Sequence, residues 1–161
     1  MSKYLENFCQ EIKELISQIF GARQKLKEMA QVADQEGRRA SGIFVRLLSE
    51  LVREIAPIQI KEHKKQDVSR INNKYIQWHE EYGLATRTEN QLEPLSAWGE
   101  DFPPDSIESL AGSVKNDLLS TLRSLNNKQS QLQERTEKFR STIAILEKWE
   151  QEIAGNSGQE S

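Results

Sequence analysis

The chain has 161 residues with 22 basic and 25 acidic side chains, a net charge of -3, and only 36% hydrophobic against 29% charged residues. That length fits one domain or one elongated module, and a mean hydropathy of -0.72 implies a slender shape with much surface. The composition excludes an internal disulfide and a cysteine-held zinc, since Cys9 is the only cysteine, and its negative balance gives no global pull toward nucleic acid.

The first twenty positions carry Glu6, Glu11 and Glu14 among their apolar residues, so a signal peptide is not expected. No apolar run approaches the ~18 residues of a membrane span, and a cytoplasmic location without membrane contact is the expectation. Leu5, Phe8, Ile12, Leu15 and Ile19 begin a 3-4 spacing that continues through Leu26 and Met29 to Ala33. Such spacing keeps one seam of a helix facing a partner. A rod from 3 to 35 would be roughly 50 Å long, with Gly37 as its stop. Cys9, Ile16 and Phe20 widen the stripe, so this rod is expected to meet two neighbours.

A dense apolar run from Ile43 to Ile55 follows, interrupted at helical intervals by Arg46, Glu50, Arg53 and Glu54. Pro57 lacks an amide donor and disfavours helical geometry at Ala56. Val68, Ile71, Tyr75, Trp78 and Tyr82 then resume the 3-4 spacing. The reading is one rod over 40–82, kinked at Pro57, with a true turn at 56–58 and four helices as the alternative. Residues 83–104 hold Pro94, Pro103, Pro104 and two glycines without a sustained period, and are expected to form a long loop.

Asp105-Ser106-Ile107-Glu108 has the form of a capping box. Beyond it Leu118, Leu125, Leu132, Phe139, Leu146 and Ile153 recur every seventh residue, and Gln129 and Thr136 make the companion positions polar in the middle. Gly155 and Asn156 are expected to end this helix. The fold expectation is therefore all-α: an elongated antiparallel three-helix bundle or coiled coil over 1–154, with a disordered tail at 155–161.

Chemistry is sparse in this pattern. His63 and His79 are sixteen residues apart and would lie about 24 Å apart on one helix, too far to share a metal. His79, beside Trp78 and two glutamates, is expected to be a partly buried, hydrogen-bonded imidazole. Cys9 is expected to be a packed thiol rather than a nucleophile. No phosphate-loop, dinucleotide-loop or nucleophile-elbow motif occurs, so neither an enzyme nor a cofactor is expected.

Three surfaces remain. The last helix should overhang its neighbours and present Phe139, Ile143, Leu146, Trp149 and Ile153 to a partner helix. Leu92, Leu95, Trp98 and Phe102, set in an acidic, Pro-bounded loop, form either a lid on the bundle or a docking peptide. Lys61, Lys64, Lys65, Arg70 and Lys74, with Arg38 and Arg39 upstream, make a basic strip that solvates an exposed face or docks phosphates or an acidic partner. The functional expectation is a non-catalytic helical adaptor or assembly subunit, working with a protein partner or as a homo-oligomer. The alternative is a small subunit or regulator of a nucleoprotein complex that meets the phosphate backbone through the basic strip.

Overall fold

The computed structural model describes residues 2–62 and 67–159, with the side chains of 157–159 outside the description. It corrects the all-α expectation. A helix α1 (Ser2–Val52) leads into a short helix α2 (Ala56–Glu62). Four strands follow, β1 (Asp67–Ile71), β2 (Lys74–His79), β3 (Gly83–Arg87) and β4 (Leu92–Pro94). Two 3-10 stretches, Leu95–Asp101 and Pro104–Ser106, then deliver the chain to a second long helix, α3 (Ile107–Gln159). The strands form one antiparallel sheet in sequence order, so the architecture is helix, meander, helix.

The second half of the expected rod over 40–82 is β-sheet. Val68, Ile71, Tyr75 and Trp78 lie on a hairpin, with Ile71 paired to Lys74 across the two-residue turn Asn72-Asn73. Both asparagines have positive φ, +50° and +63°, which asparagine tolerates better than most side chains. On β2 the alternation that decides burial is Ile76 and Trp78, both inside, with Tyr75 and Gln77 less buried. Pro57 neither kinks nor ends a rod. It stands in the first turn of α2, where a missing amide hydrogen costs nothing.

Residues 83–104 are likewise not a loop: they supply β3, β4 and the first 3-10 stretch. Nor does Gly37 stop the first helix, because α1 continues through Gly37 and Gly42. These glycines permit close approach instead. A Cβ on Gly37 would sit 3.1 Å from Pro104 Cγ, and one on Gly42 would sit 3.2 Å from Glu100 Cγ. At the far end α3 runs past Gly155 and Asn156 to Gln159.

The core joins Val45 and Val52 of α1, Ile76 and Trp78 of β2, Leu84 of β3, Leu95 and Phe102 after the sheet, and Leu110 and Val114 of α3. Its position fixes the direction of the helices. Gly37 lies against Pro104, Gln59 bonds Asp117 and Thr121, and Glu62 pairs with Lys128. Contacts advance together along both segments, so α1–α2 and the first third of α3 run side by side in the same direction. An antiparallel bundle would show the opposite order. The sheet supplies the crossover that a parallel arrangement requires.

It follows that the long helices leave this head at opposite ends. Residues 2–36 of α1 and the α3 residues beyond Ser124 are exposed at every described side chain. Each arm is about 50 Å long at ~1.5 Å per residue. Every described side chain over 2–36 is exposed, where the broad stripe suggested two neighbours.

Candidate interaction surfaces

The polar side chains of the head hold it together. Gln59 is fully buried between α2 and α3; its Nε2 donates to the Asp117 carbonyl at 3.1 Å and its Oε1 accepts from the Thr121 hydroxyl at 2.6 Å. Trp78 Nε1 donates to the Asp117 carboxylate at 3.1 Å. His79 is the hydrogen-bonded imidazole expected of it, with Nδ1 accepting the amides of Glu81 and Tyr82 at 3.1 and 3.2 Å. Its ring also stacks on Tyr82 at 4.3 Å. His63 lies outside the described residues.

The 92–102 segment is a lid. Leu95 and Phe102 are fully buried, Trp98 meets Phe102 edge-on at 5.0 Å, and Phe102 packs against Phe44 at 5.9 Å. Three of its four apolar residues are thereby committed to the core or packed on it, leaving Leu92 exposed.

The described basic residues are carried on several elements. Arg38 stands at one end of the head, near Glu100 and Asp101 at 3.9 and 3.4 Å, beside exposed Arg39. Lys61 is at the last turn of α2, beyond the break that separates it from α1. Lys74 places its ammonium 4.6 Å from the Trp98 ring centre. Arg70 lies over Tyr75 at 5.1 Å on the sheet's outer face. Lys64 and Lys65 are outside the described residues.

That outer face carries a second arginine, Arg87, 4.8 Å from the same ring. Its guanidinium is engaged by Gln77 at 3.0 Å and Asp67 at 3.5 Å, and Arg70, Tyr75 and Arg87 together line a hollow of about 550 Å³. Among the described residues no group of three His, Cys, Asp or Glu side chains has the geometry to hold a metal ion. No described helix is long and apolar enough to cross a membrane.

The dominant surface is apolar. On the α3 arm Phe139, Ile143, Leu146, Trp149 and Ile153 are all more than half exposed, Trp149 at 60%. The α1 arm matches it with Phe8, Ile12, Leu15, Ile19 and Leu26, and the free thiol of Cys9 lies exposed at the edge of this stripe. Sequence spacing finds both stripes. It misses the groove between them, a hollow of about 540 Å³ lined by Leu48, Leu51 and Ile55 on one side and Val114, Leu118 and Leu122 on the other.

The groove and the stripes are in line. At 100° per residue, Leu15, Leu26, Ala33 and Leu47 fall within about 40° of Leu51 around α1. Leu125, Leu132 and Ile143 fall within about 40° of Leu118 around α3. One apolar face therefore runs along the α1 arm and through the groove to Ile143 of the α3 arm, beyond which Leu146, Ile153 and Trp149 lie about 80–140° from Leu118 around α3.

No known protein family, curated protein or solved structure matches this chain.

Proposed function

We propose that the protein is a non-catalytic assembly subunit that works through helix-face contacts, its compact head serving to hold two long arms pointing in opposite directions. The observation that carries this reading is the continuous exposed apolar face along α1, the groove and α3. A free soluble chain rarely leaves contiguous apolar patches beyond a few hundred Å² uncovered. Isolated helices in water also gain most of their stability from packing an amphipathic face. The buried and networked polar groups of the head support the same reading, since Gln59, Trp78, Asp117 and Arg87 are all occupied by partners that hold the fold.

The test is the size of the native particle. In extract of the source cells, the full-length chain is expected to sediment well above its own 18.6 kDa. Leu15→Asp and Leu146→Asp, both on exposed positions away from the head core, are expected to shift it to small species while the head melts normally. A wild-type chain that runs as a free monomer in that extract would overturn the reading.

A further inference from the structure

The geometry points to a second copy of this chain as the occupant of the apolar face, in a closed two-fold dimer whose axis passes through the groove between α1 and α3. This rests on the assembly reading above and names its partner. A two-fold at the groove lays the α3 arm of each copy antiparallel along the α1 arm of the other, and brings the two grooves together as a short four-helix centre.

Two observations select this arrangement. The first is length: each arm has 35 residues, 2–36 and 125–159, so each covers the other. The second is economy of symmetry. One operator covers both arms and the groove, whereas head-to-tail stacking pairs the arms but leaves every groove open and never closes.

The area suffices as well. About fourteen exposed large apolar side chains of α1 and α3 lie within about 60° of Leu51 or Leu118. At roughly 60–80 Å² apiece they offer on the order of 1,000 Å² per copy, against about 800 Å² per partner in a standard specific interface.

The purified full-length chain is expected to sediment at twice 18.6 kDa between about 5 and 50 µM, with no larger species as concentration rises. Leu51, 78% exposed in one copy, lies at the axis, and Leu51→Asp is expected to weaken the dimer at least about 100-fold while the head melts normally. Spin labels report the arrangement. Labels on the native Cys9 of both copies are expected to be more than about 100 Å apart. Cys9 mixed with labelled Cys9→Ser/Ala154→Cys is expected to give an intermolecular distance below about 30 Å.

A Cys9–Cys9 distance of about 30 Å or less, a dimer unaffected by Leu51→Asp, or open-ended growth would each overturn the two-fold. A purified monomer would overturn self-pairing altogether. If that monomer is found in a large particle in extract, the assembly reading stands with another partner; if it is monomeric there too, both fall.

Discussion

Gly83 turns the chain from β2 into β3 with φ at +77°, and a Cβ there would lie 2.8 Å from the carbonyl oxygen of Ser49. Both the left-handed backbone and the close approach of α1 require glycine. Gly83→Ala is therefore expected to lower the urea stability of the head by about 2–3 kcal/mol. Gln59 is a different kind of constraint, since it satisfies two groups of α3 from inside the core. Gln59→Leu leaves the Thr121 hydroxyl and the Asp117 carbonyl without it and is expected to cost about 1–3 kcal/mol. Adding Thr121→Val should recover part of that loss, because replacing both partners by apolar groups removes the unmet donor. Ser41 offers the opposite case: its hydroxyl is buried without a hydrogen-bond partner among the described residues, so Ser41→Ala is expected to be neutral or to stabilise by up to about 1 kcal/mol.

The hairpin β1–β2 shows why the sheet was hard to read. Asn72 and Asn73 both carry positive φ, and Asn73→Ala is expected to cost about 1 kcal/mol, measurable in the same urea unfolding. Yet Val68, Ile71, Tyr75, Trp78 and Tyr82 are spaced as a helical seam would space them. The competing signal, Ile76 and Trp78 alternating on β2, spans one six-residue strand. An Asn-Gly pair would have announced the turn; Asn-Asn announces it weakly. The long helices were legible because their 3-4 pattern persists for several heptads. Their boundaries were not, because Gly37 and Gly42 answer to Pro104 and Glu100 across the fold, and no local rule contains that information. Their relative direction depends on the sheet acting as a crossover, so losing the sheet reversed the topology. The apolar stripes remained readable throughout, since they are local, whereas the groove needs α1 and α3 placed side by side.

At the scale of the whole molecule, stability is divided between a packed head and two arms whose described side chains are all exposed. Hydrogen exchange is expected to be slow for core amides of β2 and β3 and fast for 2–36 and 125–159 at nanomolar protein. Arm protection, and total helicity by circular dichroism, should rise with concentration as the apolar faces become covered. Concentration-independent helicity with fast-exchanging arms would contradict this division. The parallel packing of α1 and α3 also has a mechanical consequence. Tension between the arm tips drives the two helices past one another, so the contacts from Gly37–Pro104 to Glu62–Lys128 are strained together in shear rather than peeled one at a time. A head wired in this way resists pulling along its axis better than its small core suggests, and it would pass force from one arm to the other.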